Sequence, residues 1–182
     1  MPENDATLLT TFNFRVKLRR SPQAPEGQSE TNQAPSPSQQ GEQLTEGGFQ
    51  ECTGLDVEMD VQELSEGGRN DGVIKRIGRG KFQNIVLKRG MFVEKGQAQP
   101  KINSALWGWI QDILAGVRPV RRYDGIIEVL DKRGEAAGTV LATWSFDRGL
   151  PAKIAGPQLN AKTGEIAIEE LQISHEGLRL VI

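Results

Sequence analysis

Apolar and polar residues trade places at every second position along much of this chain. That two-residue period is the repeat of a β-strand, whose successive side chains point to opposite faces. In LDVEMDVQ, Leu55, Val57, Met59 and Val61 alternate with Asp56, Glu58, Asp60 and Gln62. Near the start, Leu8, Phe12, Phe14, Val16 and Leu18 share one face, and Asn13, Arg15, Lys17 and Arg19 share the other. The second strand is expected over about Phe49 to Leu64, running into the polar tip Ser65, Glu66, Gly67, Gly68, Arg69, Asn70 and Asp71. Val73 to Phe92 reads as a strand pair broken by glycines, and carries six basic residues and no acid. Further strands are expected from Tyr123 to Leu130, from about Gly138 to Asp147 with Val140, Ala142, Trp144 and Phe146 on one face, and from about Gly164 to Ser174. In the last of these the apolar phase flips between Ile168 and Leu171, which predicts a bulge or a strand shared by two sheets.

One segment changes period. Leu106, Ile110, Ile113, Leu114 and Val117 recur at helical spacing, with Asn103 or Ser104 as the N-cap and Gly116 and Pro119 as the stop. Trp107 and Trp109 lie away from the centre of that stripe, and two indoles on one helix read as packing rather than as a ligand box. The expected fold is mainly β: an antiparallel sandwich or flattened barrel with one α-helix, in a single domain over residues 1–182.

Composition breaks this pattern once. From Ser21 to Gln43 there is no Leu, Ile, Val, Phe, Trp or Tyr, but there are four prolines. Such a stretch buries too little apolar surface to offset its ordering entropy, so an inserted loop is expected at about 21–47.

Few residues could carry chemistry. The lone Cys52 and lone His175 exclude an intrachain disulfide and any His- or Cys-rich metal cluster. Cys52 reads as a small buried residue and His175 as a hydrogen-bonded structural one. Gly78-Arg79-Gly80-Lys81 lacks the spacing of a phosphate loop. Glu169 and Glu170 point to opposite faces of a strand and cannot act together on one bond. A net charge of −2 gives no push toward nucleic acid, and no apolar run approaches the roughly 20 residues that span a bilayer. The acidic first residues lack the order of a signal peptide, so a protein folded in a reducing cytoplasm is expected. No catalytic residue, metal or cofactor is expected.

The stretches GRGKFQNIVLKRGM, LWGWIQDI and WSFDRGLPAKIAGPQLNAKTGEIAIEELQISHEGLRLV together resemble the tail-tube (inner-tube) protein family of contractile phages, R-type bacteriocins and extracellular contractile injection systems. The resemblance covers about Gly47 to Val181 and the first strand. Its motif positions include Trp107, Trp109, Gly156, Pro157, His175, Glu176 and Gly177. It implies a structural subunit of a rigid inner tube. Copies would form hexameric rings, with sheets of neighbours joined into an inner β-barrel and rings stacked around a lumen for cargo or DNA. Implied partners are copies of itself, the sheath, baseplate hub and spike proteins, a tube terminator, and a cargo effector or DNA. Assembly would take place in the bacterial cytoplasm, without membrane insertion, into a phage-like or extracellular injection particle.

Under that reading Val57, Met59 and Val61 would pack inward on the subunit core, and Asp56, Glu58, Asp60 and Gln62 would line the lumen. Alternatively, these polar residues would meet Arg15, Lys17 and Arg19 of a neighbouring strand. The tip Ser65 to Asp71 would reach the next ring. The insertion departs from a minimal tube protein and would suit a tube-initiator ring at the baseplate hub. The reading from a different class is a monomeric β-barrel that binds a ligand or nucleic acid.

Overall fold

Val16 and Leu18 are completely buried, and the residues between and beside them are not, which is the pattern the first strand's alternation demands. A computed structural model of the chain describes residues 9, 13–22, 43–47, 49–68, 71–94, 101–131, 138–162 and 164–181. The expectations on Leu8, Phe12, Arg69, Asn70 and most of the insertion (23–42) lie outside them.

Twelve strands and one helix are described: β1 (Phe14–Arg20), β2 (Gln43–Gly47), β3 (Glu51–Thr53), β4 (Val57–Leu64), β5 (Ile74–Phe82), β6 (Ile85–Gly90), β7 (Val93–Glu94), β8 (Lys101–Ile102), α1 (Ala105–Leu114), β9 (Tyr123–Leu130), β10 (Val140–Ala155), β11 (Ile168–Ser174) and β12 (Gly177–Val181). The pairings described between them are all antiparallel. The main sheet runs β2-β1-β9-β10-β11-β6-β3, with β12 also on β10.

β10 is the long member, at 16 residues. Its first part pairs with β9 and β12, and its last part pairs with β11. Val16, Leu18, Tyr123, Ile127 and Phe146 from one side of this junction share a core with Ile85, Leu87, Leu171 and Ile173 from the other. The strand shared between two groups of strands is therefore β10. β11 itself pairs with β6 without interruption from Ile168 to Ile173, so its expected bulge is absent. Its phase flip has another cause: Glu169 lies on the inward face with Leu171 and Ile173 and is 1% exposed.

Four further expectations are corrected. Gln43–Gly47, assigned to the insertion by composition, pairs with β1. The strand expected from Phe49 to Leu64 divides at Gly54, whose φ of 86° lies in the left-handed region. β3 stays on the main sheet and β4 leaves it. Val73 to Phe92 is not a strand pair, because β5 joins β4 while β6 joins β11 and β3. On α1 the buried residues are Leu106 and Trp109, while Leu114 and Val117 are exposed. The inward face is rotated from the aliphatic stripe because Trp109 is buried beside Leu106: it meets Tyr123 edge-on at 4.8 Å, and its Nε1 donates to the Arg121 carbonyl at 2.9 Å. The side chain of Asn103 accepts from the Ala105 N–H at 3.2 Å, and Gly116 at φ 78° follows the last turn.

Candidate assembly surface

β4 and β5 form a two-stranded ribbon that pairs with no other described strand. Cross-strand partners in an antiparallel pair point the same way. The register sets Val57 against Phe82 and Val61 against Ile77, which gathers apolar side chains on one face. No described element covers that face: Val57 is 55% exposed, Val61 56% and Ile77 73%. The expectation that Val57, Met59 and Val61 pack into the subunit core is therefore overturned. The reason lies at the hinge. A Cβ on Gly54 would sit 2.0 Å from the Asn84 carbonyl oxygen, so only glycine allows the close crossing from which the ribbon swings away.

The opposite face is ionic. Asp60 pairs there with Lys81 at 2.7 Å, while Glu63, in phase with Val61, lies 3.9 Å from Lys75 at the end of the apolar face. The hydrogen bond from Lys81 to Asp60, aided by the attraction of that carboxylate, holds the ammonium above its ordinary pKa. Asp56 precedes β4, Glu58 stands opposite Lys81, and Gln62 stands opposite Arg76. Within the subunit Arg15 and Lys17 are already engaged with Glu128, Lys17 at 3.1 Å. Burial alone would raise the Glu128 pKa, but the two bonds and their charges outweigh it and hold it below the usual carboxylate range. Ser65, Glu66, Gly67, Gly68 and Asp71 lie exposed at the ribbon's tip.

The motif residues gather at two places in the body. At one, Trp107 Nε1 donates to Glu169 at 3.1 Å, and Gly156 lies against the Trp107 ring, with Pro157 next in the chain. Arg89 donates to Glu169 at 2.6 Å and to Thr45 at 3.0 Å, and its guanidinium lies over Phe49. This buried pair had a signal in the sequence, since Glu169 falls in phase with Leu171 and Ile173. At the other, the His175 ring meets Phe82 and Phe146, and its Nε2 lies 3.0 Å from the Gln83 carbonyl oxygen. Glu176 pairs with Arg122 and Arg148, and Gly177 packs against the Asp147 carboxylate as it opens β12. His175 thus fastens the ribbon's base to the core, as a structural histidine does.

Residues 10–179 match the family model described as the T4-like virus tail tube protein gp19. The chain belongs to that family. This tail tube protein is accordingly a structural subunit of a tube. Its fold is shared with a chain of the anti-feeding prophage baseplate, solved by cryo-EM with 6-fold symmetry imposed, at a TM-score of 0.67 and 20% identity over 97% of both chains. It is similar as well to a chain of the PVC extracellular contractile injection system in its extended sheath-tube complex, at a TM-score of 0.65 and 19% identity over 96% of this chain and 91% of that one. A chain of the PVC sheath/tube terminator gives a TM-score of 0.68 and 20% identity over 98% and 99%. The search of curated proteins returned no match.

Proposed function

We propose that copies of this tail tube protein close into hexameric rings and that the rings stack into the inner tube of a contractile injection particle. The observation that carries this reading is the β4–β5 ribbon. A lone two-stranded hairpin is at best marginally stable in water. This one also exposes an apolar face and two edges that no described strand pairs, which is a surface made for another chain to complete. Head-to-tail contacts between copies close into a ring when the rotation allows. Strands joined around such a ring lose their free edges.

In the ring the apolar face of the ribbon lies against protein, and Asp56, Glu58, Asp60 and Gln62 face the lumen, where negative charge keeps a polyanionic cargo from adhering. The competing role, contact with Arg15, Lys17 and Arg19 of a neighbour, is disfavoured because Arg15 and Lys17 already share Glu128 and Asp60 already holds Lys81. The tip from Ser65 to Asp71 docks on the adjacent ring. Sheath, baseplate hub and terminator proteins are the outer and end partners, and the tube works without catalysis or a cofactor. Assembly takes place in the bacterial cytoplasm.

Deleting Ser65 to Asp71 should leave soluble subunits but no long tubes in negative-stain images; tubes of normal length would reject the docking role. Replacing Asp56, Glu58 and Asp60 together by lysine should leave rings intact, because solvent-exposed pairs such as Asp60–Lys81 contribute little to stability. Loss of rings would assign those acids to a subunit contact instead.

A further inference from the structure

The ribbon of β4 and β5 joins the body through two short links, residues 54–56 after β3 and residues 83–84 before β6. The links run side by side: the Gln83 N–H donates to the Asp56 carbonyl at 3.4 Å, and Gly54 crosses the Asn84 carbonyl oxygen. Hinges are a few loop residues between stiffer elements, so two adjacent links of this length define an axis about which the ribbon can rock. We infer that His175 is a clasp that sets the ribbon's angle in the free subunit, so that a second copy meets it already oriented.

His175 lies in the connection between β11 and β12, and that connection is anchored to the body. The Glu176 N–H donates to the Asp147 carbonyl at 3.0 Å, and the Glu176 carboxylate lies 2.8 Å from Arg148. From this base the imidazole reaches the ribbon in two ways. Its ring stands between Phe146 of the core and Phe82 of β5, at centroid separations of 5.6 and 5.5 Å and tilts of 38° and 45°. Its Nε2 lies 3.0 Å from the Gln83 carbonyl oxygen, in the second link itself. A carbonyl oxygen only accepts, so Nε2 carries a proton and donates it. Nδ1 is buried and makes no hydrogen bond among the described residues, so the polar contact of the ring is directed at the ribbon's link.

The two sides of the clasp differ in freedom. Phe146 is fully buried in a close-packed core and cannot follow a moving ring. Rocking of the ribbon would therefore draw Phe82 away from His175 and break the bond to Gln83. Association pays for ordering whatever is loose beforehand, and a segment already held in its bound orientation avoids that cost. The role in assembly rests on the ring reading; the fixed angle of the ribbon does not.

The test separates the two. In a Cys52→Ala background, nitroxide labels on Glu66→Cys at the exposed tip and Lys153→Cys on β10 report the ribbon's angle in the unassembled subunit. The distance distribution should be narrow with His175 in place. His175→Ala should broaden it, and His175→Phe, which fills the space but donates nothing to Gln83, should broaden it in part. Both variants should raise the concentration at which rings or tubes first form by about tenfold, the scale of one lost hydrogen bond. Distributions as narrow in both variants as in the parent would overturn the clasp, and broadening with no change in that concentration would overturn its role in assembly. Should His175→Ala fail to fold, His175→Phe carries the test. A narrow distribution in a parent chain that never assembles would count against the ring reading and leave the clasp standing.

Discussion

Gly125 lies directly across from Phe146, and a Cβ added there would stand 1.9 Å from the phenyl ring. The ring is fully buried and cannot retreat, so Gly125→Ala should destabilise the fold by about 1–3 kcal/mol in denaturant titration. A different residue-scale test falls on Arg89 and Glu169. Removing either partner leaves the other charged and buried, at a cost of about 3–5 kcal/mol, whereas replacing both with methionine and leucine should cost far less. A double-mutant cycle reads that difference. Cys52 adds a pH signature. Burial pushes its thiol from 9.0 up to about 12. The folded chain therefore keeps a proton that the unfolded chain releases, and the stability present below about pH 9 is lost as the pH climbs toward about 12. Cys52→Ala should flatten that part of the stability profile.

At the scale of elements, the alternation from Leu55 to Gln62 identified β4 as a strand but not what would cover it. Periodicity reports that a strand has an apolar face; it does not say whether the covering surface belongs to the same chain. The ribbon's departure is written in Gly54, a single glycine without a turn motif around it, which is why the strand was read as running unbroken from Phe49. The ends of β10 were hidden for a related reason: Arg148, Gly149 and Pro151 look like strand breakers, yet they sit where one strand passes from β9 to β11. On the helix, α1 was found by its period, but its inward face was misjudged by weighing aliphatic residues over Trp109. Leu106→Ala should cost about 2–5 kcal/mol, whereas Leu114→Ala should stay within about 0.5 kcal/mol in the isolated subunit. Thermal or chemical unfolding distinguishes the two.

For the whole molecule, the fold class and the tube reading were legible from strand periods and motif order. The convergence of Arg20, Arg121, Arg122 and Arg148 around one cleft was not, because the stretches that carry them are far apart along the chain and only the fold makes them neighbours. Apolar side chains of the ribbon, together with Phe92, Ile102 and Ile166 elsewhere, remain exposed in the single chain. Unassembled subunits should therefore bind an apolar fluorescent dye, and the signal should fall as tubes form; an unchanged signal would place these faces outside the assembly contacts. The passage of β10 through both halves of the sheet has a mechanical corollary. Thrust applied to one half reaches the other along an unbroken run of peptide bonds, so a column of such subunits would transmit a blow stiffly, and its weak planes under load would lie between molecules rather than through them.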